Sequence, residues 1–262
     1  MSSTSVPADA PETSAGCFDP AAFAQMQRMV TDLGRMYSER NEALEEVSRA
    51  HHEALFRLAL AAEYRDDDTG AHILRVGFIA EALALLAGMS APNAAMLRKA
   101  APMHDVGKIG IPDHVLKKPG PFDASERRVM NQHPEMGAHI LGSSRIPLFR
   151  LAAEVALSHH ERWDGKGYPA GLSGEAIPLP GRIAAIADFF DAVTMDRCYR
   201  AAFSDERALE MLRAEHGHAF DPNLVDLFIT HAAELIDLRE RVNHLAPNFA
   251  DLVAGLPARH EA

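Results

Sequence analysis

From Met26 to Leu58, apolar side chains recur at alternating intervals of four and three. Met26, Val30, Leu33, Tyr37, Leu44, Val47, Ala54 and Leu58 fall on one line, with Arg40 and His51 filling the remaining register positions. A 3.5-residue repeat is the pattern of a coiled coil, because it keeps one seam turned toward a partner helix. The stretch is therefore expected to be a long helix forming a homodimer through residues 26–58. The plainer reading is an amphipathic helix packed on its own domain, and the polar Arg40 and His51 weigh toward it. From Leu55 onward the spacing is that of globular helices, predicted over 55–66, 70–88, 92–104, 124–131, 134–142, 149–160, 181–195, 204–215 and 221–241. Residues 161–180 are too rich in Gly and Pro for a helix interior and read as a loop. Strand patterns are almost absent, so the expected fold class is all-α.

The ends read differently. Residues 1–20 are rich in Ser, Thr, Pro and Ala without apolar periodicity, and are expected to form a disordered tail. Residues 21–54 form the linker or coiled-coil helix and 55–245 the main domain. Residues 246–262 are expected to be a C-terminal tail that frays after about Pro247.

Composition narrows the function classes. Apolar residues make up 47% of the 262, enough for a real core, and the formal charge of −11 argues against a duplex DNA partner, which needs clustered Lys and Arg. Cys17 and Cys198 do not make a disulfide framework, so a reducing cytoplasm is the expected location. The most apolar stretch, Val76 to Met89, is too short to span a bilayer and carries Glu81; no secretory leader is apparent.

The candidate chemistry lies in histidines and carboxylates placed near the ends of the predicted helices. His104-Asp105, in MHDVGKIGIP, offers one imidazole and one carboxylate, a pairing suited to divalent metals. Alone it is weak evidence. His72 lies upstream, His133 and the pair His159-His160 lie downstream, and Asp188 sits on the helix over 181–195 with Asp191 one turn later. Such residues could converge on one cavity, as helical bundles build metal sites from facing helices. Seven or eight ligands exceed the four of a zinc site and suit two or three divalent ions, and mixed His/carboxylate ligation without thiolate points to Fe or Mn.

Other features have plainer readings. His51 and His52 are expected to be seam or solvent-facing residues, and His114 and His139 structural. The charged run Glu39–Glu46 reads as a solvated helix face. Met26, Met29 and Met36 read as helix packing, and Asp164 and Lys166 as shapers of their loop. Asp191 is a candidate for orienting a metal-ligating histidine.

The segment His159-His160-Glu161-Arg162-Trp163-Asp164-Gly165-Lys166-Gly167-Tyr168-Pro169 resembles the signature of the HD-GYP family. The flanking blocks also match in order: RDDDTGAH at 65–72, HDVGKIGIPD at 104–113, LKKPG at 116–120, GLSGEAIP at 171–178, RIAAIADFFDAVTMDRCYR at 182–200 and FDP at 220–222. The resemblance covers about 55–230. It implies an HD-superfamily helical bundle with extra helices, acting as a cyclic di-GMP phosphodiesterase that yields pGpG and/or GMP by metal-assisted attack of hydroxide on phosphorus.

The family's metal ligands fall on His72, His104, Asp105, His133, His159, His160 and Asp188, and in three-ion members also on Asp68, where Glu is the more frequent residue. Lys108 and Asp105 are the residues the resemblance implies for catalysis. Lys108, Tyr168, Arg197 and Arg200 are those implied for substrate binding, with Arg suited to bidentate phosphate or guanine contacts. Cys198 stands where many relatives have Pro. Implied partners are cyclic di-GMP, diguanylate cyclases docking on the GYP loop, and an upstream sensor or receiver protein. Other readings are a catalytically weak cyclic di-GMP sensor, a docking module, and a dNTP hydrolase of the wider superfamily.

Overall fold

A computed structural model describes residues 19–65, 70–196, 201–245 and 248–256. The chain divides into two units, Met1–Ala50 and His51–Ala262. The first long helix, α1 (Pro20–Arg65), joins the predicted seam and the predicted helix over 55–66 without a break. Between Pro20 and Ala50 the seam residues Met26, Val30, Leu33, Tyr37, Leu44 and Val47 are all more than half exposed.

The second unit is a bundle of α-helices, and no β-strand forms among the described residues. From Leu55 onward α1 buries Leu55, Phe56, Ala59 and Ala62. It is followed by α2 (Ala71–Leu86), α3 (Ala91–Ala100), α4 (Asp113–Leu116), α5 (Ala124–Met130), α6 (His133–Leu141), α7 (Pro147–Ser158), α8 (Leu179–Thr194), α9 (Asp205–Ala214), α10 (Pro222–Thr230), α11 (Ala232–Leu245) and α12 (Phe249–Ala254). Helix α2 is apolar nearly all round, as a helix packed on several sides must be. Its Val76, Ile79, Ala80 and Leu83 share one cluster with Leu97, Ile183, Ile186, Phe190, Leu212 and Phe228. Ile73 and Phe78, from the same helix, join a second cluster with Leu55, Met103, Leu148 and Val242. Full burial of such side chains contributes roughly 1.5–3 kcal/mol each, and α2 and α8 are thereby held rigidly at the centre.

Three departures from the predicted elements have local causes. The helix predicted over 92–104 ends at Ala100 and tightens into a 3-10 turn over Ala101–Met103, because Pro102 has no N–H to continue the α-helical ladder. The helix predicted over 221–241 breaks at His231, just after the β-branched Ile229 and Thr230, which are weak helix formers. The stretch expected to fray after Pro247 contains α12. Asn248 and Asp251 form a capping box there, Leu252 is buried, and Arg98 donates to the carbonyls of Leu252 and Val253 at 2.7 and 2.9 Å while pairing with Glu81. His51, expected at the seam or in solvent, is half-buried with its ring edge-on to Phe149 at 6.4 Å.

Candidate metal centre

Seven of the eight expected ligands meet in the second unit. His72 lies in the first turn of α2. His104 and Asp105 sit between the 3-10 turn Ala101–Met103 and a second one over Val106–Gly110, which also carries Lys108. His133 opens α6, His159 and His160 follow the last residue of α7, and Asp188 lies in α8. Their donor atoms form two groups, Asp105–His133–His159–His160 and His72–His104–Asp188, each spanning no more than 4.8 Å. Within the first group, His133 Nε2 and His159 Nε2 lie 3.1 and 3.6 Å from Asp105 Oδ1. In the second, His72 Nε2 and His104 Nε2 lie 3.4 and 3.7 Å from Asp188 Oδ1. Asp68, Arg197, Cys198 and Arg200 lie outside the described residues.

The second nitrogen of each ring determines what the first can do. The Nδ1 atoms of His104, His133 and His159 lie 3.0, 2.8 and 3.0 Å from the carbonyls of Ala101, Met130 and Ala156. A carbonyl only accepts, so each Nδ1 carries the proton, and in the neutral ring Nε2 presents a lone pair. His72 Nδ1 is held the same way, at 2.6 Å from Asp191 Oδ2, and Arg75 grips that carboxylate with two of its nitrogens. These contacts are the outer partners that metal-ligating histidines characteristically have.

The inward-facing atoms are short of partners. His133 Nε2 and His159 Nε2 face each other at 3.4 Å, and the buried His104 Nε2 and Asp105 Oδ1 have no hydrogen-bond partner. Lone pairs converging at such distances repel unless a cation lies among them. Cis ligands about 2.1 Å from one ion lie roughly 3 Å apart, so the donor set fits divalent metal ions. The residues that would hold them are the seven named above.

Charge within the site is sharply divided. Burial alone would depress the basicity of His72, but hydrogen bonds to Asp188 and Asp191 outweigh it and hold its pKa well above the ordinary value. His104 is raised against the same burial by Asp105. His159 and His160 are pushed down, chiefly by burial. Burial opposes ionisation of Asp105 and Asp188 as well, yet Lys108 and His104 hold the first, and His72 and His104 the second, well below the usual carboxylate range. Lys108 Nζ is 2.8 Å from Asp105 Oδ2.

The GYP loop covers one side. Glu161, almost fully buried, accepts the backbone N–H of Ala170 at 2.7 Å and of Leu172 at 2.9 Å. Gly167 packs so closely that an added Cβ would lie 2.4 Å from Arg162 N, so only glycine fits. The result stacks Tyr168 on His160, ring centroids 4.8 Å apart. Asp164 pairs with Arg162 and accepts the N–H of Lys166, the loop-shaping role expected of it. Glu63 and Arg75 were not singled out in the sequence, although each is a charged residue inside an otherwise apolar helical stretch, and Arg65 entered only as the first residue of the 65–72 block.

Among the described residues an α-helical bundle thus gathers histidines and aspartates from several helices and turns into two close donor groups. The family model described as "HD domain" matches residues 22–224, and the chain belongs to the HD domain family. It is 46% identical over 187 residues to the 3'3'-cGAMP-specific phosphodiesterase 2 of Vibrio cholerae, covering 71% of this chain and 36% of that protein. It is 45% identical over 193 residues to the cyclic di-GMP phosphodiesterase response regulator RpfG of Xanthomonas campestris, covering 74% and 51%. Among solved structures, a cyclic GMP-AMP-specific phosphodiesterase of V. cholerae (V-cGAP3) superposes with a TM-score of 0.51 at 22% identity, covering 77% of this chain and 57% of that one. That likeness bears on the fold. The chain spans about a third to a half of the length of these two curated relatives. No helix of the described residues is long and apolar enough to cross a membrane.

Proposed function

We propose that this chain hydrolyses cyclic di-GMP to pGpG and/or GMP, using two or three Fe or Mn ions. The observation that carries the reading is the pair of adjoining His/Asp groups with Lys108 at their edge. The relatives named as cyclic-dinucleotide phosphodiesterases support the substrate class. Bound divalent ions would supply Lewis acidity toward a phosphoryl oxygen and a nucleophile at neutral pH. The protein's own part is positional and electrostatic. Asp105 and Asp188 carry negative charge into the site, and the backbone carbonyls and Asp191 orient the rings. Lys108 offsets charge that builds on the phosphoryl oxygens. Tyr168 offers an aromatic face to a base. Arg197 and Arg200 are assigned phosphate or guanine contacts, and Asp68 a further ligand position, on the sequence resemblance alone.

The seam of α1, exposed from Met26 to Val47, supports a homodimer through the coiled-coil segment expected over residues 26–58, and the GYP loop is the surface we assign to docking diguanylate cyclases. An upstream sensor or receiver protein and a cytoplasmic location complete the reading. A second substrate, 3'3'-cyclic GMP-AMP, is favoured by the 46% identity to a phosphodiesterase of that specificity. A panel of cyclic di-GMP, 3'3'-cyclic GMP-AMP and dNTPs with products resolved tests the proposal. Preferential turnover of a cyclic dinucleotide is expected, and a preference for dNTPs would overturn it.

A further inference from the structure

Near the end of α1, Glu63 is buried to all but 4% of its surface, and its Oε2 has no hydrogen-bond partner. A carboxylate taken out of water is costly unless a cation or donor meets it. Burial raises its pKa, and the groups that act on it next are His72, Asp105, His104 and Lys108, all of them in or beside the metal centre. Three of these four are cations or potential cations, and two of them, His72 and His104, belong to the His72–His104–Asp188 group. A second observation fixes the turn in place. Two residues on, the Arg65 guanidinium donates to the carbonyls of Lys108 (3.1 Å), Ile109 and Ile111 (2.6 Å) and pairs with Asp113 at 2.8 Å. The last turn of α1 is thus clamped to the segment that follows the His-Asp pair, and Glu63 faces inward from that turn.

We propose that Glu63 is an additional acidic residue of the metal centre, serving the ion held by His72, His104 and Asp188. It lies outside the close donor groups, so it acts as an outer carboxylate that strengthens cation binding there through its charge. This assignment rests on the metal-dependent reading above. It makes the end of the seam-bearing helix a wall of the active site as well as its neighbour in sequence. A buried Glu with a purely structural role would behave differently, because an isosteric amide would then be tolerated without effect on metal.

The test is calorimetric titration of metal-stripped full-length protein with Mn²⁺, for wild type, Glu63→Gln, Glu63→Asp, His72→Ala and His133→Ala, with thermal melting of each metal-free form. Glu63→Gln is expected to weaken, by about tenfold or more, the same class of site that His72→Ala removes, and to leave the class removed by His133→Ala within threefold. Its metal-free melting temperature should not fall, and Glu63→Asp should recover part of the affinity. Unchanged titration in a folded Glu63→Gln protein would overturn the assignment while leaving the metal centre standing. A wild-type protein that takes up no Mn²⁺ would bring down the metal reading and this proposal together.

Discussion

At Asp105 a lysine and the donors of a metal site meet on one carboxylate: Lys108 Nζ lies against Oδ2, while Oδ1 faces the lone pairs of His133 and His159. That division separates two roles that mutation can test. His104→Ala or Asp105→Ala removes a donor and should abolish both metal retention and turnover, measured by metal analysis and product assay on the same sample. Lys108→Ala should retain its metal and lose roughly 10²- to 10³-fold in kcat, the scale of losing one electrostatic contact to a transition state. Asp191→Ala, which frees the His72 ring and strands Arg75, should cost about 10- to 100-fold in metal affinity. Acidity should act in the same direction. His72 and His104 have raised pKa values, and a metal ion must displace their protons, so affinity falls as pH falls and uptake releases protons. In the metal-free protein the raised His72 value stabilises the fold fully below its ordinary value of 6.5, and that contribution is lost as pH rises through the raised value. Potentiometric metal titrations at several pH values, with metal-free melting curves beside them, check both signs.

Element by element, the sequence was most legible where period and chemistry coincided. Most of the helices beside the candidate ligands were predicted from apolar spacing, and the seven described candidate positions are ones that the fold brings together in two close groups. What escaped was of three kinds. Helix α12 is too short for periodicity, and its evidence, the Asn248/Asp251 capping box, is a purely local signal. Glu63 and Arg75 stand among apolar neighbours with nothing nearby in sequence to say what they meet; the partners of Arg75, Asp191 and Asn243, come from other helices. Close approach of elements was also invisible. The turn Val106–Gly110 packs so tightly on α6 that a Cβ at Gly107 would lie 1.9 Å from the carbonyl oxygen of His133. Gly107→Ala should therefore push apart the two elements that carry Asp105 and His133. A loss of more than about 3 kcal/mol is expected, on the scale of severe overpacking, read from urea unfolding, and metal affinity should fall with it.

For the molecule as a whole, the long helix and the bundle raise separate questions. A heptad seam with Leu33 and Leu44 more than half exposed has too much apolar surface in line to be explained by scattered surface residues. The paired substitution Leu33→Glu/Leu44→Glu places charges on that seam and should convert a dimer to a monomer in sedimentation velocity, with metal content unchanged; a wild-type monomer would refute the coiled-coil reading. The central claim concerns the bundle. It is tested most directly by purifying the full chain without oxygen, counting its metal, and incubating the same sample with cyclic di-GMP while products are resolved. The account predicts at least two Fe or Mn ions per chain, one for each donor group, with pGpG or GMP accumulating. A fully metallated sample that binds cyclic di-GMP tightly and releases no product would contradict it and establish a sensor instead.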